Sequence, residues 1–261
     1  MLNLVLCEFT KLKRKKIVLL IILSAFLFPV PLTAFMTLPF PIESEAANFN
    51  EYFSYVMGYG VELLLPCVIG ITAANLFFME RDHDTFKNLR VIPVTSTQMV
   101  LAKIIVLFLF GILFSLASAV AAFLCGGFTP GAEVTGIFYK LVLALEMGAF
   151  ITGGTLPLVV LVVFFSKTYI FSILLCVFYS VLSLTAEASF GALPRLLCWL
   201  MPIPLTTLWS AGNMIQHGVR ENIEALERLF PSTAQTVAIL SVMAFLSVML
   251  IDYLYKVRRD E

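Results

Sequence analysis

From position 99 to position 124 the chain reads MVLAKIIVLFLFGILFSLASAVAAFL, and its one charged residue is Lys103. A helix rises about 1.5 Å per residue and needs roughly 20 apolar residues to cross a bilayer core. This stretch is long enough to do so. Comparable runs predict further spans at 17–39, 56–79, 137–165, 169–186 and 233–255. The predicted fold class is therefore all-α, a polytopic membrane protein with six transmembrane helices.

The composition agrees. Of 261 residues, 60% are hydrophobic and 13% charged, with a mean hydropathy of +0.98. A soluble domain carries about 25% charged and about 45–50% apolar residues, which excludes a water-soluble globular enzyme. The abundance of Leu, Phe and Val excludes disorder. Basic and acidic side chains balance at 17 each. Nucleic acid is thus not an expected partner, because phosphate binding needs a concentrated basic surface. Cys7, Cys67, Cys125, Cys176 and Cys198 have no paired spacing and read as small hydrophobes rather than a disulfide or metal framework. Six spans leave little for a separate soluble domain, so residues 1–261 read as a single unit.

The connecting segments carry the remaining information. Residues 1–16 place Leu2, Val5, Phe9 and Leu12 at helical spacing among Lys11, Lys13, Arg14, Lys15 and Lys16, as in a helix lying on a membrane surface. A signal peptide competes for the first apolar run, but the run outlasts one and has no obvious small-residue cleavage site. Residues 41–55 read as a polar connector and 80–97 as a charged loop. The fourth apolar run is interrupted by Gly153, Gly154 and Pro157, which predicts a tilt or kink. In the segment 187–232, an apolar piece at 193–201 is too short to span and is bounded by Pro194 and Pro202. It predicts a re-entrant or interfacial element. Residues 220–230 predict a short amphipathic helix.

Charge orients the chain. With the amino terminus inside, the inner segments hold Lys11, Lys13, Arg14, Lys15, Lys16, Arg81, Lys87, Arg90, Lys103, Lys167, Lys256, Arg258 and Arg259. The outer ones hold Lys140, Arg195, Arg220 and Arg228. Such an excess sets topology, so a multi-pass plasma-membrane protein with both termini cytoplasmic is expected. No internal repeat supports an inverted-repeat transporter.

Catalytic patterns are missing from the sequence. Lys167-Thr168 follows Phe164-Phe165-Ser166 without the glycine loop that cradles phosphate. His83 sits between Asp82 and Asp84, but His217 falls on the other side of the membrane, so a metal cluster is not expected. Ser24, Ser115, Ser118, Ser172 and Ser180 have no His or Lys companion at membrane depth for a nucleophilic dyad. The chain is therefore not expected to be an enzyme, nor to bind a cofactor or metal itself.

The loop after the second span is more telling: Glu80-Arg81-Asp82-His83-Asp84-Thr85-Phe86-Lys87-Asn88-Leu89-Arg90-Val91-Ile92-Pro93-Val94-Thr95. Asp84 is a good N-cap, Phe86, Leu89 and Arg90 can share a helix face, Pro93 ends it, and Thr95 or Ser96 can cap the third span. An apolar knob with flanking charges suits docking to another protein, although an ordinary charged connector would read the same way. With its core His83-Asp84-Thr85-Phe86-Lys87-Asn88-Leu89, this loop resembles the signature loop of ABC-2-type transporter permeases, and most closely their bacitracin-export and lantibiotic-immunity subfamily. Glu8-Phe9, Lys11-Leu12 and Lys13-Arg14 resemble that family's cytoplasmic interface helix.

The resemblance implies a permease with a separate ATP-binding cassette subunit, usually in two copies, which holds the ATP and Mg²⁺. It also implies a second permease subunit, identical or different. Glu80, Asp84, Thr85, Phe86, Lys87, Leu89 and Arg90 would form the coupling element, Glu8, Phe9, Lys11 and Lys13 the interface helix. The expected activity is export or clearance of a peptide antibiotic. A non-transporting scaffold or sensor of an ATPase or kinase, and an exporter of lipid or another hydrophobic substrate, are the alternatives.

Acidic residues near membrane depth are the substrate clue. Glu62, Glu146 and Glu187 fall near the outer ends of their spans, where a carboxylate is costly unless paired, hydrated or facing a cavity. They are candidates for receiving a cationic peptide. The competing reading is of headgroup-hydrated carboxylates paired with Lys140 or Arg195. Pro66, a turn beyond Glu62, frees a backbone carbonyl and suits a gate. Gly111, Ser115 and Ala119 form a small-residue stripe for close helix packing, within one subunit or between two.

Overall fold

The computed structural model describes residues 1–14, 16–37, 49–82, 94–127, 134–165, 169–220 and 224–260. Among them there is no strand, and six helical stretches are long and apolar enough to cross a membrane: Ile17–Met36, Phe49–Phe78, Ser96–Gly126, Ile137–Phe164, Tyr169–Ala188 and Thr233–Val257. The first span is preceded by α1 (Leu2–Arg14). Lys16, in the left-handed region at φ 59°, reverses the chain between them. The first span is two helices, α2 (Ile17–Ala25) and α3 (Pro29–Thr37), joined by a turn at 26–28. Pro29 opens α3, where its missing N–H costs least.

The second span begins earlier than the sequence suggests. Its first helix, α4 (Phe49–Tyr55), lies in what reads as a polar connector. Phe49, Tyr52 and Phe53 are buried at i, i+3 and i+4, so three aromatic rings override the polar residues between them. A π-helical segment, Val56–Val61, then joins α4 to α5 (Glu62–Asp82).

The third span, α6 (Ser96–Gly126), starts at a capping box in which Thr95 Oγ1 accepts from the Gln98 amide and Gln98 Oε1 from the Thr95 amide. The fourth, α7 (Ile137–Phe164), is the hub. It packs against α5, α6, α8 (Tyr169–Ala188), α10 (Pro202–Gln216) and α11 (Thr233–Asp260). It runs unbroken through Pro157. The small-residue stripe settles within the chain: Ser115 Oγ donates to the Ala144 carbonyl at 2.6 Å, and a Cβ on Gly111 would overlap Thr152 Oγ1. The second span is 72% buried and the last 17%, so spans 1, 5 and 6 form the outer faces of the bundle.

The segment before the last span is a helical hairpin. The apolar piece at 193–201 is α9 (Arg195–Leu200), and α10 follows at once. The sequence treats Pro202 as an end, whereas the structure uses it as the first residue of α10, whose side chains are largely buried. An added Cβ on Gly154 would come 2.9 Å from Pro202 Cβ, so α10 rests directly on the hub. Trp199 Nε1 donates to the Leu229 carbonyl at 2.9 Å, tying α9 to the segment before the last span, and Trp209 Nε1 donates to Thr233 Oγ1 at 3.0 Å, tying α10 to the start of α11. The expected amphipathic helix at 220–230 is instead a 3₁₀ segment, Glu224–Leu229. Residues 221–223 lie outside the described residues.

Candidate functional site

Two polar sites are embedded in the apolar bundle, at opposite ends of the second span. The first sits where α4 and the π segment face the end of α8 and the wall of α10. These elements enclose a cavity of about 650 Å³ whose lining includes Glu51, Tyr55, Tyr59, Glu187, Thr207 and Arg220. Tyr55 and Tyr59 stack at 6.1 Å, and the Tyr55 hydroxyl donates to Glu51 Oε1 at 2.9 Å. Gly58 and Tyr59 belong to the π segment. Such segments are rare and occur mostly where a helix is adapted to a site.

Glu62 lies just behind this lining and is 1% exposed. The Thr207 hydroxyl stands between it and Glu187, 2.8 Å from Glu62 Oε2 and 2.7 Å from Glu187 Oε1. The same hydroxyl is 3.1 Å from the Ile203 carbonyl. Glu62 Oε1 is buried without a hydrogen-bond partner. Pro66, also buried, lacks the N–H that would bond the Glu62 carbonyl, so the helix is loosened on both sides of this glutamate.

Of the three carboxylates singled out in the sequence, two therefore meet and one does not. Glu146 is half-buried on α7 and does not share the Thr207 contact. The competing reading, pairing with Lys140 or Arg195, finds no such ion pair among the described residues. Lys140 is 1% exposed and donates to Asn50 Oδ1 at 2.7 Å and the Thr135 carbonyl at 2.6 Å, with its ammonium 4.6 Å from the Phe49 ring centroid. The Arg195 guanidinium lies over the Trp199 ring at 4.2 Å. Nor is Glu62 a headgroup-hydrated carboxylate, because it has almost no exposed surface.

The second site is at the α1 end. Val5, Glu8 and Leu12 form the buried face of α1, while Leu2 and Lys13 are exposed. Phe9 stacks on Phe110 of α6 at 5.5 Å. Lys103, with no exposed surface, donates to Glu8 Oε2 at 3.2 Å and to the Leu76 carbonyl of α5 at 2.8 Å. Lys11 pairs with the other Glu8 oxygen. Burial by itself would raise the Glu8 carboxyl, but Lys103 and Lys11 outweigh it and hold Glu8 below its ordinary range. One ammonium thus fastens α1, α5 and α6 together.

Glu80 lies near the end of α5. Asp84, Thr85, Phe86, Lys87, Leu89 and Arg90 lie outside the described residues. Among the described residues, no group of three or more His, Cys, Asp or Glu side chains has the proximity to hold a metal ion.

The sequence carries a signal for Lys103, the one charge in a 26-residue apolar run, although charge patterning alone ties it only to topology. Thr207 carried none, because threonines within apolar helices commonly bond their own backbone. Residues 4–183 match the family described as ABC-2 family transporter protein, from α1 almost to the end of α8. The match stops before Glu187, the α9–α10 hairpin and the last span. No curated protein matches the chain. With 180 of its 261 residues matched and six apolar helices in one bundle, the chain belongs to the ABC-2 transporter family and is a multi-pass transmembrane subunit of an ABC transporter, a component of transport rather than a catalyst.

Proposed function

We propose that this subunit is the permease of a bacitracin- or lantibiotic-type exporter that clears an amphipathic peptide antibiotic from the membrane. A separate ATP-binding subunit holds ATP and Mg²⁺ and drives it. The observation that carries the reading is the cavity of about 650 Å³ with its stacked tyrosines and its carboxylate-bearing wall, at the end of the bundle opposite α1. Aromatic rings at membrane-interface depth suit the apolar face of such a peptide, and the carboxylates suit its basic face. With the lysine-rich end inside, the cavity faces the outer leaflet and both termini are cytoplasmic. Two permeases and two ATP-binding subunits complete the assembly.

Coupling follows from connectivity. The loop at 80–97 continues directly from α5, and α5 begins at Glu62. Displacement of Thr85, Phe86 and Leu89 by the closing ATP-binding subunits pulls on the helix that bears the cavity's buried carboxylate. The test is reconstitution of the permease with its ATP-binding subunit in proteoliposomes. A lysine-containing amphipathic peptide should stimulate ATP hydrolysis and leave the membrane in an ATP-dependent manner. Binding without ATP-dependent movement would replace transport by a scaffold or sensor role. Phe86→Ala with Leu89→Ala should abolish the stimulation, since truncated apolar anchors in a protein groove cost about 2 kcal/mol or more each.

A further inference from the structure

The cavity wall is short of hydrogen-bond donors. The Thr207 hydroxyl owns one proton and is within hydrogen-bond reach of three acceptor oxygens: Glu62 Oε2, Glu187 Oε1 and the Ile203 carbonyl. It can satisfy one of them well. Glu62 Oε1 is fully enclosed and receives no bond from any amide, hydroxyl or amine; the Glu187 carboxyl lies within hydrogen-bond reach of the Glu62 carboxyl, so the one other proton open to the pair is one they share between them. A buried acceptor left unpaired is costly, and more so when the group is charged. The local charge is also unbalanced. Glu51 and Glu187 line the cavity with Arg220, Glu62 is buried behind them, and among the described residues no ion pair joins Arg220 to Glu62 or Glu187.

We propose that the Glu62–Thr207–Glu187 cluster is a recognition site for one primary ammonium group of the peptide, a lysine side chain or amino terminus, entering from the cavity. This deepens the transport reading and rests on it for the identity of the ligand, but not for the chemistry of the site. A primary ammonium carries three N–H donors on one small centre. Delivered beside Thr207, it bonds Glu187 directly and frees the Thr207 proton for a single acceptor. It also brings a positive charge to both carboxylates at once. A quaternary ammonium has the charge without donors, and an alcohol has a donor without the charge. Neither supplies both. The π segment and Pro66 on either side of Glu62 let the carboxylate shift towards such a ligand without breaking a regular helix.

The permease alone, in nanodiscs of phosphatidylcholine so that no lipid offers a primary amine, is titrated with dansylcadaverine and followed by dansyl fluorescence polarisation. Its trimethylammonium and hydroxyl analogues serve as comparison probes. The expected result is at least about tenfold tighter binding of the primary ammonium than of either analogue, as befits charge-assisted hydrogen bonds. Glu62→Gln and Glu187→Gln should each remove about that preference, and Thr207→Val should weaken it, while Thr207→Ser retains it. Glu146→Gln should leave it unchanged. If Glu62→Gln does not fold, the Glu187→Gln and Thr207→Val pair still decides. Equal affinity for the three probes, or a preference that survives Glu187→Gln and Thr207→Val, overturns the site. No ATP or partner subunit is present, so failure here leaves transport standing. Failure of ATP-dependent clearance leaves the ammonium site standing.

Discussion

Replacing Lys103 with Met keeps an unbranched side chain one atom shorter and removes its charge and its donors. The substitution strands Glu8, which is 2% exposed, and leaves the Leu76 carbonyl without the lysine's N–H. Removing one partner of a buried pair costs about 3–5 kcal/mol. Lys11 still holds the other Glu8 oxygen, and its side chain is 36% exposed and able to follow. The lower end is therefore appropriate, about 3 kcal/mol including the lost bond to the carbonyl. Glu8→Gln combined with Lys103→Met should recover part of this, with a coupling of about 1–2 kcal/mol in the double-mutant cycle.

The assay is unfolding in mixed micelles by titration with sodium dodecyl sulfate, read by helical circular dichroism. Its pH dependence has a definite sign. The Glu8 carboxyl is held below its ordinary value of 4.5 in the fold. Its contribution is thus complete above that value and is lost as the pH falls through the lower, folded one. The gap between wild type and Lys103→Met should be full at pH 7 and shrink below pH 4.5. A variant as stable as wild type at pH 7, or a strictly additive cycle, would refute the claim that this ammonium fastens three helices.

Two further outcomes test the arrangement of the chain. Cysteine at position 222 (Asn222→Cys) should react with a membrane-impermeant thiol reagent in intact cells, and cysteine at position 88 (Asn88→Cys) should not; labelling at 88 from outside would invert the proposed orientation. Gly111→Val should destabilise the purified permease by about 2 kcal/mol or more, because its Cβ would overlap Thr152 Oγ1 where α6 packs on α7. Thermal melting in micelles measures it, and an unchanged midpoint would show that the two helices can part without cost.

Six spans were legible because apolar length is a one-dimensional property of the chain. The boundaries that moved did so for three-dimensional reasons. Asn50, Glu51 and Ser54 make 49–55 look like a polar connector, yet they occupy one side of a helix and line the cavity while Phe49 and Phe53 fill the core. Helix α10 was hidden for a related reason. Thr206, Thr207, Ser210 and Asn213 dilute its hydropathy. Thr206 and Ser210 satisfy their hydroxyls on backbone carbonyls of the same helix, which lets the helix be buried without a hydropathy signal. In the acidic site, membrane depth alone nominated Glu62, Glu146 and Glu187 alike. Only packing separates the two that share Thr207 from the one that does not.

The two polar sites bear on one helix, and their spacing gives each a mechanical part to play. Lys103 grips α5 at Leu76, and Glu62 is its first residue, 14 positions away, or about 21 Å along the axis. An α-helix between such points is stiff, so a displacement at one end arrives at the other unless something gives. The candidates for giving are the π segment and Pro66, and both lie at the Glu62 end. At the Leu76 end the lysine instead holds α5 to α1 and α6, which stiffens the approach to the 80–97 loop. Under the proposed coupling, force enters at a clamped end and is released at a loosened one. A buried ion pair adds little net stability over a well-packed apolar substitute. In that proposal the pair serves as a rigid handle beside the docking loop, a role that stability alone does not require.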